Sequence, residues 1–284
     1  MNRIIYKLSD GRNLEYLCNG SAEDSAIILH AGTMQDIAGW QTWLDYFASR
    51  NVFALSFGRS GYVGSSKKPG RITIDIANDV AELATTLGIK KFVNIGLSGG
   101  GQHAIATGLD SRSVGVVTVG SLAPYEELGQ EFYSGMQPAD IEEYADAVKD
   151  INLLIKRFQA WQEHDMSFVA PDAEISENDR RASLAPTWSV ALKSCNYTMS
   201  QGWDWVADDY SSYLKPWGFD PRDVKVPAVI WQGGLDKNVP IQHGTWLSKN
   251  MPNAGLELRE EESHLGIFVN YEVEIMESAI ALLK

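Results

Sequence analysis

The sequence predicts an α/β chain: a mostly parallel, doubly wound sheet covered by helices on both faces, with a helical cap inserted between core strands. Three observations carry this. Short apolar β-type runs alternate with runs of helical spacing toward both ends of the chain. The strand runs are continuously apolar, as strands buried on both faces are. Between about Tyr125 and Asp220 the alternation stops, and it resumes afterwards. Residues 1–124 and 221–284 are therefore expected to form the core and 125–220 the cap.

Taken in order, Ile4 to Leu8 and Leu14 to Cys18 read as a hairpin turning at Asp10-Gly11. Ala26 to His30, Asn51 to Ser56, Phe92 to Ile95, Val114 to Val119, Val226 to Trp231 and Leu256 to Arg259 read as the remaining strands. Helical spacing covers Trp40 to Ala48, Ile74 to Leu87, Gly100 to Leu109, Gln242 to Lys249 and Tyr271 to Leu283. In the acidic, tryptophan-rich middle segment, Glu142 to Phe158 has the spacing of one helix.

At 284 residues the chain is long enough to bury about three quarters of its unfolded surface. A net charge of −13 opposes binding to nucleic acid or anionic membranes. No apolar leader and no run of about 18 apolar residues is found, so a cytoplasmic chain is expected. Cys18 and Cys195 form no C-x-x-C pair, and no Cys/His cluster has zinc spacing; neither metal nor cofactor is expected. The pattern assigns no oligomeric state.

The chemistry gathers where strands end, because ligands in an open parallel sheet bind at the carboxyl edge. Gly96-Leu97-Ser98-Gly99-Gly100 lies between a strand and a helix and fits G-x-S-x-G, a turn so tight that glycine is needed two residues before and after the serine. It matches neither a dinucleotide fingerprint nor a phosphate-binding G-x-x-x-x-G-K. His30-Ala31-Gly32-Thr33 follows one strand and Gly61-Tyr62-Val63-Gly64-Ser65 another. Gly233-Gly234-Leu235-Asp236 and then Ser263-His264 follow the last two.

Together these residues resemble the α/β-hydrolase superfamily, in which nucleophile, acid and base follow in the order seen here: Ser98, Asp236, His264. The resemblance spans nearly the whole chain apart from the cap. Two loops depart from the family pattern. Ala31 and Thr33 replace the Gly and Pro of His-Gly-x-Pro, and a residue is inserted in the Pro-Gly-Tyr-Gly-x-Ser turn. Ser98-Gly99-Gly100-Gly101 and Ala123-Pro124-Tyr125 look closest to proline-iminopeptidase-like members.

The resemblance implies a capped serine hydrolase cleaving a small or medium carboxylic ester through an acyl-enzyme. His264 would activate Ser98, Asp236 would orient His264, and the N–H groups of Gly99 and Gly32 would bind the oxyanion. Ser98, where a dehalogenase or epoxide hydrolase has aspartate, argues against both. Met136 and Trp203, near the two ends of the cap, are expected to line the substrate pocket. The partner is a small-molecule ester or amide. The alternatives are an aminopeptidase, holding a substrate ammonium on Glu126, Glu127, Glu131, Glu142 or Glu143, and a non-enzymatic receptor on the same fold. His30 reads as a brace, His103 as packing or as support behind the site, His164 as exposed and His243 as part of a surface helix.

Overall fold

A computed structural model describes residues 2–163 and 177–284. Eight strands form one sheet: β1 (Ile4–Lys7), β2 (Asn13–Cys18), β3 (Ser25–His30), β4 (Ala54–Phe57), β5 (Lys91–Leu97), β6 (Ser113–Val119), β7 (Ala228–Gly233) and β8 (Ala254–Arg259). Their order is β1-β2-β4-β3-β5-β6-β7-β8. Strands β1 and β2 pair antiparallel, as do β2 and β4; from β4 to β8 every pairing is parallel. The hairpin turns through Gly11 at φ 87°. Strand β4 starts later than its apolar run, because Asn51 is left-handed at φ 55° and ends the preceding helix instead.

The helices of the core are α1 (Gln41–Ser49), α2 (Asp75–Thr86) and α3 (Gly101–Thr107). The insert between β6 and β7 holds α4 (Tyr125–Leu128), α5 (Pro138–Lys149), α6 (Ile151–Glu163), α7 (Glu177–Ala182), α8 (Pro186–Gln201) and α9 (Asp204–Tyr213). The chain closes with α10 (Ile241–Asn250), α11 (His264–Asn270) and α12 (Glu272–Leu283). Successive residues of β3 feed opposite faces. Ile27 and Leu29 pack with Trp43, Phe47, Phe268 and Met276 of α1, α11 and α12. Ala26 and Ile28 pack with Ile76, Val80 and Leu83 of α2. That alternation places an apolar core on each side of the sheet, which is why the strand is apolar throughout. Among the described residues no helix is long and apolar enough to cross a membrane.

The run Glu142 to Phe158, expected as one helix, is two. Asp150 is extended (φ −166°, ψ 117°) and separates α5 from α6. Its carboxylate accepts the backbone N–H of Asn152 at 3.0 Å and the Asn152 side-chain amide. Aspartate's short side chain competes with the helix for backbone donors, and here it caps the next helix. The expected helix from Tyr271 is preceded by the separate α11, which begins at His264. His164 lies outside the described residues.

The glycines between β5 and α3 are set by contact between backbones. A Cβ on Gly96 would stand 2.6 Å from the Gly100 carbonyl oxygen and the Gly101 Cα, and one on Gly100 would overlap the carbonyl oxygens of His30 and Ala31. Gly255, on edge strand β8, faces open space. Gly100→Ala is therefore expected to cost at least about 1–3 kcal/mol, whereas Gly255→Ala stays within about 0.5 kcal/mol. Urea unfolding midpoints measure both; equal midpoints would mean that the chain does not cross itself this closely.

Candidate active site

The sheet register brings five loops to one edge. His30 pairs with Gly96, Leu97 with Val119, Val119 with Trp231, and Gly233 with Arg259. The residues that follow these pairs emerge together. Ser98 leaves β5 with left-handed φ of 50°, a conformation that costs serine about 1–3 kcal/mol. A short 3-10 turn, Ser98–Gly100, then leads directly into α3. Ser98 is half-buried, and its Cβ lies 3.6 Å from where a Cβ on Gly32 would be.

Asp236 and His264 meet in a hydrogen bond, Nδ1 to Oδ2, of 2.7 Å. The other oxygen of Asp236 accepts the N–H groups of Asn238 and Val239 at 2.9 and 2.8 Å, which fixes the carboxylate. A carboxylate only accepts, so the Nδ1 of neutral His264 carries the proton and Nε2 keeps a free lone pair. Gly120, one residue past the Leu97–Val119 pair as Ser98 is, has φ 52°. A Cβ there would press within 3.0 Å of His264 Nδ1 and 3.1 Å of Asp236 Oδ2. The three sequence-predicted residues are thus gathered at one edge, although Ser98 and His264 share no hydrogen bond among the described residues.

Burial lowers the pKa of His264, but the charge and hydrogen bond of Asp236 outweigh it, with Asp179 and Asp140 adding to the same side; the net shift is upward. Asp179 of α7 also accepts the Leu265 N–H at 3.2 Å and the Ser263 hydroxyl, so it grips the start of α11. Asp140 of α5 accepts from Gln137 at 2.9 Å and from Asn238 at 2.8 Å, which ties α5 to the loop carrying Asp236. Burial pushes its carboxyl up to about 6.

The loop after β3 departs from expectation in one respect. Gly32 lies beside Ser98, but its N–H donates to Gln35 Oε1 at 3.1 Å. Thr33 lies against Gly99: a Cβ on Gly99 would overlap both the Thr33 hydroxyl and the Tyr213 hydroxyl. The loop is held from behind by a buried cluster that the sequence reading missed. Asp209 of α9 binds Arg59, Arg71, Tyr62 and Tyr213. Burial alone would raise the Asp209 carboxyl, but Arg59 and Arg71 hold it well below the usual carboxylate range. The available signal was Arg59 itself, a cation in a glycine-rich turn directly after a buried strand.

Met136 is buried and Trp203 partly buried in one apolar cluster with Met34, Leu122, Phe158 and Tyr213. Trp203 stacks on Phe158 with ring centroids 6.4 Å apart. A cleft of about 950 Å³ runs along the loop of Asp236 past Gln137 and Pro240, but neither Ser98 nor His264 lines it.

Three histidines are structural. His243, expected on the surface, is buried: its Nδ1 accepts the Ala123 N–H at 3.1 Å and its Nε2 donates to the Phe132 carbonyl at 2.9 Å. It ties α10 to the insert, and burial pushes it down to about 4. His30 bonds Asn94 at 3.2 Å across β3 and β5, and His103 is buried within α3.

These shifts set a pH dependence. A base acts when neutral, so if His264 is the base, kcat/KM should rise with pH through a midpoint above the ordinary value of about 6.5. The bound proton stabilises the folded chain below the unfolded pKa, and that contribution disappears as pH rises through the higher folded pKa. Asp236→Asn removes the largest upward push and leaves burial opposed by Asp179 and Asp140 alone, so the His264 midpoint should fall. NMR titration of the imidazole measures this; an unchanged midpoint in the variant would break the assignment of the pair.

No family model and no curated protein matches this chain. Solved structures do. A thermophilic esterase from Thermogutta terrifontis superposes with a TM-score of 0.70 at 16% identity, over 100% of both chains. A hydrolase from Pseudomonas aeruginosa PA01 gives 0.67 at 19%, over 99% of this chain and 98% of its own. An alpha/beta hydrolase fold protein from Chitinophaga pinensis gives 0.68 at 18%, over 99% and 96%. Likeness at such identity concerns the path of the chain, and it agrees with the strand order and the loop edge described above: the fold of this protein is the α/β-hydrolase fold.

Proposed function

We propose that the chain is a serine hydrolase that cleaves a small or medium carboxylic ester through an acyl-enzyme intermediate. The observation that carries the reading is Ser98 in its left-handed turn, at the sheet edge that also carries the Asp236–His264 pair. His264 Nε2 takes the Ser98 proton as Oγ attacks the ester carbonyl, and Asp236 stabilises the imidazolium. A serine–histidine contact tightens as the reactive complex forms. The collapsing tetrahedral adduct expels the alcohol with the proton from His264, and water then releases the acid by the same steps. The Gly99 N–H faces the oxyanion, joined by Gly32 once Gln35 releases its N–H. Residues 125–220 act as the cap, with Met136 and Trp203 against the acyl or alcohol group. No metal or cofactor takes part.

One observation favours a second reading, a proline-iminopeptidase-like aminopeptidase. Of the acidic candidates in the insert, Glu127 is paired with Arg222 and Glu142 with Arg157, while Glu126 and Glu131 are exposed. Glu143 alone is buried, bonded to the Tyr210 hydroxyl, and burial raises its carboxyl well above the usual range. It lies one turn from Asp140 on α5. A substrate ammonium would compensate the pair.

A fluorophosphonate probe should label Ser98 and leave Ser98→Ala unlabelled, with turnover falling by about 10⁶. Asp236→Asn should keep the fold and lose about 10⁴. A panel of p-nitrophenyl esters and proline arylamides separates the two enzyme readings; turnover of neither, with no labelling, would favour a ligand receptor. Within the ester series kcat/KM should rise about fourfold per added methylene and then fall. If Met136→Ala and Trp203→Ala lose stability yet keep the wild-type chain-length profile, those residues pack the cap and do not line the pocket.

A further inference from the structure

The loop after β3 is held residue by residue. Arg59 donates to the carbonyl oxygens of Ala31 and, at 3.4 Å, Gly32. The Thr33 hydroxyl meets the Tyr213 hydroxyl at 2.7 Å, and the Met34 N–H donates to the Tyr62 hydroxyl at 3.0 Å. The three holding side chains converge on one carboxylate. Arg59 reaches Asp209 through Nε at 3.2 Å and again through its terminal nitrogen, Tyr62 at 2.6 Å and Tyr213 at 3.0 Å. Arg59, Tyr62, Tyr213 and Asp209 are all buried.

The protons in this cluster have one consistent order. Asp209 only accepts, so both tyrosine O–H groups point at it, and the Thr33 O–H points at Tyr213. Every peptide here is trans, so each planar unit directs its N–H away from its carbonyl oxygen. The carbonyls of Ala31 and Gly32 belong to the peptide units whose N–H groups are those of Gly32 and Thr33. A guanidinium on the carbonyl side therefore fixes both N–H groups to the opposite side, where that of Gly32 meets Gln35 Oε1 at 3.1 Å until an oxyanion takes Gln35's place, and it polarises them into stronger donors.

We propose that Arg59, Tyr62 and Tyr213, assembled on Asp209, are positioning residues that aim the amides of the loop after β3 at the developing oxyanion. This rests on the serine-hydrolase reading. It assigns to a carboxylate of the insert a part in transition-state binding, through side chains whose hydrogen bonds run to the loop after β3 and to Asp209. A cluster that only fastened α9 to the core would affect stability and leave the chemistry unchanged.

The test uses the full chain with Tyr213→Phe, Tyr62→Phe and Asp209→Asn. The first two each remove one hydroxyl and keep the ring, so they remain informative if Asp209→Asn fails to fold. Three quantities are read: kcat and KM for p-nitrophenyl butyrate, inhibition by a trifluoromethyl ketone that forms a tetrahedral adduct, and inhibition by butyrate. Because small displacements of an oxyanion donor act on the transition state, each tyrosine variant should lose about tenfold in kcat with KM nearly unchanged. Affinity for the ketone should fall by the same factor and that for butyrate should hold. Wild-type kcat and ketone affinity in both tyrosine variants, with only a lower melting temperature, would overturn the proposal and leave the hydrolase reading standing. Absence of both turnover and fluorophosphonate labelling in the wild type would instead remove the hydrolase reading, and this proposal with it.

Discussion

The close crossing of backbones around Ser98 is the constraint on which the site depends. Gly100, the last residue of the elbow, lies against the peptide groups of His30 and Ala31, with no room for a side chain there. That contact joins β5 to the loop after β3 with no side chain between them. It forces Ser98 into a left-handed turn and sets Gly32 beside it. The parallel register then carries Gly120, Asp236 and His264 to the same edge. A sheet with a looser turn could have the same topology and leave the serine a side chain's width away from its neighbours.

Polar contacts from three of its helices anchor the insert to this edge. Asp140 holds the loop of Asp236, Asp179 the first turn of the His264 helix, and Asp209 the loop after β4. Three carboxylates from three helices thus end on three different loops of the core. Hydrogen bonds to charged groups are directional and are lost over small displacements, so these contacts fix the insert in position as well as hold it on. Apolar packing is supplied separately by the cluster around Phe132, Phe158, Trp205 and Tyr213.

Much of the fold was legible because its strands are short, apolar and separated by helical runs. That Asp236 meets His264 at the edge that carries Ser98 was legible because glycine and chain order mark these residues. What escaped were features that depend on which side chain meets which. Asp150 reads as one more polar residue on a helix until its carboxylate turns back to cap Asn152. His243 sits on an amphipathic run, yet the neighbouring insert covers it and turns it into a buried link between Ala123 and Phe132. Gly32 has the right place in its motif, but the sequence carries no sign that Gln35 would take its N–H. Asp209 follows another aspartate in an acidic segment, and only the fold brings it to Arg59 and Arg71.

That meeting also bears on inheritance. Arg59 and Arg71 belong to the core and Asp209 to the insert. A chain that exchanged its insert for one lacking a carboxylate at this place would bury two guanidiniums without a counter-charge, at a cost of several kcal/mol. Conversely, a core that lost both arginines would strand the carboxylate. Core and insert are therefore not interchangeable modules. A recombined or designed chimera must first match this one buried charge, before any question of pocket shape arises.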